Sequence, residues 1–316
     1  MVIQQLIYLN ALARERHFGR AAAACHVSQA TLSKAIQRLE DEFDVPLVRR
    51  GHQFEELTPE GARAVAWAQR ILADCEGMEA DLALMHSGTG GKLRLGAIPT
   101  SLPAVPRLTG AMRRRHPELR FAIRSLSSRE IERGLQESEL DAGLTYLHNE
   151  PLNGVRSRTL YEEGYVFVAP SESEWADGER ISWAAAAEAP LCLLSPDMQN
   201  RRIVDRNFAE AGSQVHPVVE TNSISTLHAH VREGRLCAVL ADSWLLAYSL
   251  GEGMSVLPLE PDRRQPIGIV WADGEPTSVM ARALVEAAEE FNPTNPVPAP
   301  SSYPPGAPST SPRLRR

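Results

Sequence analysis

The chain has 316 residues, four cysteines and a formal net charge of −7 at pH 7. This length suits two or three domains with sizeable cores, and no apolar run is long enough to span a membrane. Because the N-terminus also lacks the basic region and cleavage site of a signal peptide, we expect a cytoplasmic protein. The negative net charge argues only weakly against nucleic-acid binding, since the local field at a contact face decides that binding.

The cysteines have two interpretations. They lie far apart in the sequence, with no CxxC pair and no cysteine or histidine at metal-ligand spacing, which argues against a zinc site and a disulfide framework. We expect the cysteines to serve as small, buried, apolar side chains: Cys25, Cys75, Cys192 and Cys237. A redox switch is the alternative.

Residues 1–58 are predicted to form short helices and a small hairpin. Apolar residues recur at helical spacing in the first part, and strand-like residues flank a short polar turn near the end. The predicted elements are helices at 6–13 and 18–24, a turn followed by a helix at 26–40, and strands at 47–50 and 54–57.

The segment HVSQATLSKAIQRLE at 26–40 has the features of a helix-turn-helix. Small residues at 21–24 allow two helices to cross closely. In the turn, His26 is one of the few non-glycine residue types that tolerate a positive φ, and Ser28 is a helix N-cap. Leu32 and Leu39 are expected to face inward.

The outward face of this helix carries short polar and basic side chains, with no acidic residue before Glu40. Such side chains can hydrogen-bond to base edges or phosphates. A solvated amphipathic helix usually includes Glu or Asp on that face. From the pattern alone, both a DNA-reading helix and a plain surface helix remain open.

A long helix is predicted at 59–86. Thr58 supplies an N-cap hydroxyl, Pro59 suits the first helical position, and Glu60 lies in the positive first turn. At 1.5 Å per residue the helix would be about 40 Å long. Its apolar residues recur at alternating steps of four and three, a heptad seam expected to pair with a second copy, with packing on its own chain as the alternative. The seam consists of Ala64, Ala68, Ile71, Cys75, Met78, Leu82 and Met85.

Residues 87–91, SGTGG, predict a hinge, and beyond it strand patterns alternate with helical ones. This alternation predicts an α/β domain of about 200 residues with parallel sheets covered on both faces. The strand candidates are 93–98, 121–125, 142–145, 165–169, 191–194, 218–220, 237–240 and 267–271. The helix candidates are 105–115, 128–137, 200–211, 224–233 and 277–291. The eight prolines of residues 293–316 predict a disordered tail.

The sequence HFGRAAAACHVSQATLSKAIQRLEDEFDVPLVRR, followed by LTPEGARAVAWAQRIL, resembles the N-terminal domain of LysR-type transcriptional regulators, and the resemblance extends over residues 3–292. It implies a multidomain α and α/β protein: a winged helix-turn-helix, a long linker helix, and a two-lobed effector-binding domain of the type 2 periplasmic-binding-protein-like architecture. The implied divisions are 1–58 for the winged helix-turn-helix, 59–86 for the linker (dimerisation) helix, 87–91 for the hinge, 92–161 and 267–292 for lobe I, 162–266 for lobe II, and 293–316 for the tail.

The resemblance places the outward face of the third helix and the wing on DNA. It implies that Ser28, Gln29, Ala30, Ser33 and Lys34 meet DNA and that Arg38, Arg49 and Arg50 lie near phosphates. The outward-face pattern of the helix adds Thr31 and Gln37 to the predicted DNA-binding residues. Ala30 stands where the family often has proline, and Lys34 stands where arginine is frequent. Because lysine is a point charge rather than a fork, we assign Lys34 to phosphate.

The α/β part shows no GxSxG, phosphate loop or metal-spaced histidines. It offers hydroxyl and amide side chains at the carboxyl ends of predicted strands, where open α/β sheets bind ligands and helix N-termini attract anions. Arg201 or Arg202 would hold a carboxylate with a cationic fork. For each of the others, an N-cap role is the alternative. The predicted effector-binding residues are Thr100, Ser101, Ser127, Ser128, Thr145, Asn200, Arg201 and Asn222.

The resemblance implies double-stranded promoter or operator DNA as partner, a homodimer through the linker helix, a homotetramer made of two such dimers, contact with RNA polymerase, and a small, anionic effector between the lobes. We expect no metal and no cofactor. The segments GAIPTSLP, DAGLTYL and LLSPDMQNRR are also similar to regulators encoded beside formate dehydrogenase genes. Two alternatives remain: an enzyme fused to a DNA-binding domain, and a ligand-independent repressor or architectural protein whose α/β part only assembles the oligomer.

Overall fold

The N-terminal part of the computed structural model consists of three helices, a two-stranded sheet and one long helix. Its elements are α1 (Ile3–Glu15), α2 (Phe18–Ala24), α3 (Gln29–Phe43), β1 (Val48–Arg50), β2 (Phe54–Leu57) and α4 (Pro59–Ser87). The structure describes residues 1–50, 54–87, 91–247, 253–274 and 277–291. Residues 88–90 of the predicted hinge and the predicted tail at 293–316 lie outside the described residues.

The α/β domain follows in chain order. Its first passage contains β3 (Lys92–Ala97), a 3₁₀ helix (Pro99–Ala104), α5 (Val105–Arg115), β4 (Arg120–Ser125), α6 (Ser128–Gln136), β5 (Ala142–Tyr146) and β6 (Val155–Glu163). The second contains β7 (Tyr165–Pro170), β8 (Ile181–Ser182), α7 (Trp183–Ala186), β9 (Leu191–Leu194), α8 (Gln199–Glu210), β10 (Val219–Thr221), α9 (Ile224–Arg232), β11 (Cys237–Ala241), α10 (Trp244–Ala247) and β12 (Met254–Glu260). The chain returns through β13 (Gln265–Ala272) and α11 (Val279–Ala287).

Each lobe is built on one mixed sheet. The strand order is β4-β3-β5-β13-β6 in lobe I and β10-β9-β11-β7-β12-β8 in lobe II. The prediction of parallel sheets is wrong for the returning strands, because β13 runs antiparallel to β5 and β6, and β7 runs antiparallel to β11 and β12. The sequence patterns also missed β6, β8 and β12, since β6 buries few of its side chains and β12 contains a proline.

The chain crosses between the lobes twice. Strand β6 stays in the lobe I sheet as far as Glu163, and β7 begins lobe II at Tyr165. The return passes from the end of β12 at Glu260 to the start of β13 at Gln265. The predicted limits, 162 and 266, therefore assign two residues at each crossing to the wrong lobe.

The heptad seam of α4 is divided between two environments. Met78 and Leu82, in its second half, are 59% and 58% exposed. Its first half packs against the N-terminal core that α1 also lines, so there the helix packs on its own chain, which was the alternative to pairing. These residues are Ala64, Ala68 and Ile71. Cys75 is half-buried, and the side chain of Met85 lies outside the described residues.

Candidate functional site

The turn between α2 and α3 has the geometry of a helix-turn-helix. Ala21 and Ala22 are buried where the two helices cross. His26 has a φ of 56°, as the sequence predicts, and the following Val27 donates its N–H to the carbonyl of Ala22 at 3.0 Å. Ser28 caps α3, because its Oγ accepts the N–H of Thr31 at 3.1 Å. The hydrogen bonds of the turn therefore fix the angle at which α3 leaves α2.

Helix α3 separates its two faces cleanly. Leu32, Ile36 and Leu39 are fully buried. The predicted contact residues of the opposite face are exposed, except Ser33, which is half-buried: Ser28, Gln29, Ala30, Thr31, Lys34, Gln37 and Arg38. Within the described part of the chain neither Lys34 nor Arg38 forms an ion pair, so both cations are available to phosphate.

The wing is tied to α3 by Glu40. Its Oε1 accepts the N–H groups of Leu47 and Val48 at 2.9 and 3.1 Å. Arg49 in the wing pairs with Glu56 at 2.5 Å, with both side chains well exposed. Glu56 therefore competes with DNA phosphate for Arg49. The side chain of Arg50 lies outside the described residues.

A narrow cleft with both polar and apolar walls lies between the two lobes. Its empty volume is about 210 Å³, including the open mouth, and its apolar walls come from Ile98, Pro99, Leu194 and Met198. The polar lining consists of Thr100, Ser127, Ser128 and Tyr146 from lobe I and Gln199 and Asn200 from lobe II. Four of the predicted effector residues thus lie together, at the starts of the 3₁₀ helix, α6 and α8.

Hydrogen bonds cross the cleft between the lobes. Ser128 donates its Oγ hydrogen to Oε1 of Gln199 at 2.6 Å, and Nε2 of Gln199 donates to the carbonyl of His148 at 3.1 Å. Nδ2 of Asn200 donates to the hydroxyl oxygen of Tyr146 at 2.8 Å. The described lobes are therefore in direct contact, and a ligand entering the cleft has to replace some of these bonds.

Three other predicted effector residues do not line the cleft. Ser101 is buried and donates to the carbonyl of Ile98 at 3.0 Å. Thr145 lies behind the lining and donates to Oγ of Ser128 at 2.9 Å. Asn222 is exposed. Prediction from strand ends found the right edge of the sheet but could not separate lining from supporting side chains.

Arg201 does not face the cleft, which corrects the prediction that it holds a carboxylate ligand. Its Nη1 donates to the carbonyl of Leu194 and to Glu220, each at 2.7 Å, and its Nε donates to Asp205 at 2.8 Å. The next residue, Arg202, binds both carboxylate oxygens of Glu150 at 2.6 Å and so links the lobes.

We expect replacement of Arg201 by alanine to lower the free energy of unfolding by about 2 kcal/mol, since a buried carbonyl loses its donor. The partners Asp205 and Glu220 are half exposed, so water can take over part of the interaction. Urea unfolding measures the loss. If the variant were as stable as wild type but no longer bound an effector, Arg201 would be a ligand-binding residue of the cleft after all.

Sequence reasoning placed Tyr146 at the same strand end as Thr145 but left it out of the predicted effector residues, and it missed Gln199 in the lining. Each is next to a predicted residue, Thr145 and Asn200, and that adjacency was the available signal. It also missed Glu163, which is fully buried beneath the cleft. Among the described residues no group of histidine, cysteine, aspartate or glutamate is placed to hold a metal, and none of the described helices has the length and apolarity of a membrane span.

A winged helix-turn-helix joined by a long helix to a two-lobed α/β domain with a polar cleft defines a class of DNA-binding transcriptional regulators with an effector domain. The family description "Bacterial regulatory helix-turn-helix protein, lysR family" matches residues 3–62, and "LysR substrate binding domain" matches residues 86–292. The chain belongs to the LysR family.

Named relatives share this organisation over nearly the whole chain. A hydrogen peroxide-inducible genes activator from Escherichia coli O6:H1 is 28% identical over 289 residues, covering 91% of this chain and 94% of that protein. The structure of a full-length OxyR variant from Pseudomonas aeruginosa has a TM-score of 0.71 at 27% identity and covers 92% of this chain and 97% of the other. Full-length CbnR in complex with its target DNA has a TM-score of 0.72 at 19% identity, covering 92% and 100%. These relatives give no support to the predicted formate link.

Proposed function

We propose that this LysR-family regulator responds to a small molecule held between its lobes, and that the response changes how paired winged domains are spaced on DNA. The observation that carries the proposal is the polar lining. Hydroxyl groups of Thr100, Ser127 and Ser128 in lobe I face the amide groups of Gln199 and Asn200 in lobe II. A ligand there touches both lobes, so its affinity depends on their arrangement, which coupling to a distant site requires.

The lining favours a small ligand with hydrogen-bond acceptors, such as an anion. Helices α6 and α8 both begin at the cleft, with Ser128 and Gln199. The N–H groups in the first turn of a helix lack partners within the helix and attract negative charge. At α6 a capping box of Ser127 and Glu130 takes up part of this capacity, whereas α8 has no side-chain cap. With Arg201 engaged inside lobe II, we propose that hydroxyl, amide and backbone N–H groups bind the effector instead of a guanidinium.

We propose a homodimer formed through the second half of α4, and a homotetramer made of two such dimers. Met78 and Leu82 are exposed apolar residues there, and Trp67 of the same helix and Ile7 of α1 are exposed apolar residues as well. Large exposed apolar side chains clustered on one surface are typical of an association interface. Since the proposed target is promoter DNA, with RNA polymerase as a further partner, we place the protein in the cytoplasm. We propose that the cleft binds without catalysis and without a cofactor.

The names of the relatives suggest peroxide sensing as a second candidate, and the cysteines of this chain do not favour it. Cys192 and Cys237 lie on adjacent strands but in different cores, on the two faces of the lobe II sheet. Burial raises the pKa of each thiol to about 11, which removes the reactive thiolate at neutral pH. None of the four cysteines is among the described residues that line the cleft.

We expect Lys34→Ala to weaken binding to every DNA sequence and to reduce the salt dependence of affinity by about one phosphate contact. Gln29→Ala should instead relax base preference at one position of each half-site, at a cost of about 1–3 kcal/mol for the preferred sequence. Binding to a randomised DNA library over a salt series measures both effects. Lys92→Ala, an exposed lysine of the α/β domain, is the matched control. Unchanged base preference in the glutamine variant would contradict the assignment of this helix face.

The effector proposal predicts a change of DNA footprint with a small acidic metabolite and none with hydrogen peroxide. A panel of such metabolites is added to the full chain on its promoter DNA. Ser128→Ala should abolish the ligand response while leaving basal DNA binding intact, and Ser157→Ala, an exposed serine of the same lobe, should not. An unchanged footprint across the panel would favour a ligand-independent repressor or architectural protein.

A further inference from the structure

Glu163 is a fully buried acidic residue at the point where the chain passes from lobe I to lobe II. Its Oε1 accepts a hydrogen bond from the hydroxyl of Tyr146. Its Oε2 lies 3.3 Å from Oγ of Ser243. Tyr146 belongs to lobe I and Ser243 to lobe II, so one carboxyl group contacts both lobes directly beneath the cleft.

The contacts of Ser243 favour a proton on Glu163, because its hydroxyl has one hydrogen for two neighbouring acceptor oxygens. The hydroxyl of Ser243 carries one hydrogen, and its Oγ lies 3.0 Å from the carbonyl oxygen of Thr100, which can only accept. If that carbonyl takes the hydrogen, the contact between Oγ and Oε2 of Glu163 has a hydrogen only when Glu163 supplies it. A neutral carboxylic acid therefore satisfies both contacts, whereas a carboxylate leaves one of them without a hydrogen.

The second oxygen fits the same assignment. The hydroxyl of Tyr146 donates its single hydrogen to Oε1 of Glu163, and its oxygen accepts from Nδ2 of Asn200 at 2.8 Å. The hydrogen bonds then form one continuous path from Thr100 through Ser243, Glu163 and Tyr146 to Asn200. Both ends of the path and Tyr146 line the cleft.

The charges around Glu163 also favour its neutral form. The titratable groups that face it are Tyr146, Tyr161, Tyr165 and Asp242. The nearby cation, Arg264, is bound to Asp242 at 2.9 Å and to the carbonyl of Glu162 at 3.1 Å. Burial and the negative charge of Asp242 raise the pKa of Glu163 to about 8, although its contacts with the hydroxyl groups of Tyr146, Ser243 and Thr100 oppose the rise.

We propose that Glu163 is a positioning residue of the cleft: as a neutral acid it donates to Ser243 and accepts from Tyr146, and so holds Thr100 and Asn200 in place across the lobes. This inference rests on the proposed function, in which the cleft binds the effector. Ionisation of Glu163 removes the donated hydrogen bond and puts a charge between the lobes. The arrangement of the cleft should therefore change as the pH rises past neutrality.

The first test detects the acid itself in the full chain, without effector or DNA. The infrared difference spectrum of wild type minus Glu163→Gln at pH 7 should contain the carbonyl stretch of one protonated carboxylic acid, and this band should be lost at pH 10. Wild type minus Glu162→Gln, the exposed neighbouring acid, should not contain it. Absence of the band from the first difference spectrum would overturn the proposal.

The second test reads the position of the cleft. The measurement is the NMR resonance of the Asn200 side-chain amide. Glutamine can donate to Ser243 and accept from Tyr146, so in Glu163→Gln this resonance should have its wild-type position at pH 6. It should not shift between pH 6 and 10, because glutamine does not ionise. Glu163→Leu, which can neither donate nor accept, should displace the resonance at every pH, and Glu162→Gln should titrate like wild type. An equal pH-dependent shift in wild type and Glu163→Gln would overturn the positioning role.

These readouts separate the inference from the proposed function. Both are recorded on the protein without effector, so an acid band and an Asn200 titration that depends on Glu163 would stand even if no metabolite altered the footprint. In that outcome the effector proposal fails and the buried acid remains. Conversely, if a metabolite changed the footprint but the acid band were absent, the effector proposal would stand and the positioning role of Glu163 would fail.

Discussion

Gly61→Ala should lower the free energy of unfolding of the winged domain by about 3 kcal/mol and abolish DNA binding with it. A Cβ at this position would lie 1.9 Å from the carbonyl oxygen of Leu47, a backbone atom that cannot move without displacing the wing. That carbonyl already accepts the N–H of Thr58 at 3.0 Å. Thr58 in turn accepts the N–H of Gly61 at 2.8 Å and donates to the carbonyl of Pro46 at 2.7 Å.

The matched control is on the same helix. Gly77 has no atom within 4 Å of the position that a Cβ would occupy. Gly77→Ala should therefore raise stability by about 0.5–1 kcal/mol, because alanine favours the helix and restricts the unfolded chain. Urea unfolding followed by circular dichroism, with DNA binding measured in parallel, compares the two variants. Equal stability of both would mean that α4 does not approach the wing as closely as described.

Stability should depend on pH through Glu163 in a direction opposite to that of most acids. Its pKa is about 8 in the folded chain against 4.5 for the ordinary group. The full contribution of a group with a raised folded pKa is present below 4.5 and is lost as the pH rises toward 8, because only the unfolded chain ionises in that window. Between pH 5 and pH 8 the wild type should lose about 3 kcal/mol relative to Glu163→Gln.

Urea unfolding of both proteins across this range provides the measurement, with Glu162→Gln as the exposed control. The expected result is a stability difference that grows from pH 5 to pH 8 and is constant above it. A difference that is the same at every pH would show that Glu163 ionises alike in the folded and unfolded chain. Buried carboxyl groups held neutral in apolar surroundings behave in the expected way.

Elements with local signals could be predicted from the sequence. Helix α5 has the bounds expected for it, 105–115, because its periodic apolar residues lie within the segment and prolines lie close to both of its ends. The positive φ of His26 and the N-cap of Ser28 are local in the same sense. Strand β6 was missed because it buries few of its side chains and is defined by its pairing with β13, which comes from much later in the chain.

The cleft shows the same division. Ser127 caps α6 and lines the cleft, so the helix-start pattern located it. The direction of Arg201 could not be predicted, because its partner Glu220 reaches it from β10, which packs beside β9 only in the folded sheet. A glycine at 61 is visible in the sequence, but the carbonyl of Leu47 that requires it is set by tertiary packing.

Because α1 covers the first half of the α4 seam and Glu40 fastens the wing to α3, each winged domain and the start of its linker helix form a rigid arm. In a dimer paired near Met78, that arm extends about 29 Å from the crossing point to Pro59. A tilt of about 7° at the crossing then displaces the far end of this arm, at Pro59, by about 3.4 Å, which is the rise of one base step. Small rotations of the effector domains would thus be converted into whole-base changes in the distance between half-sites.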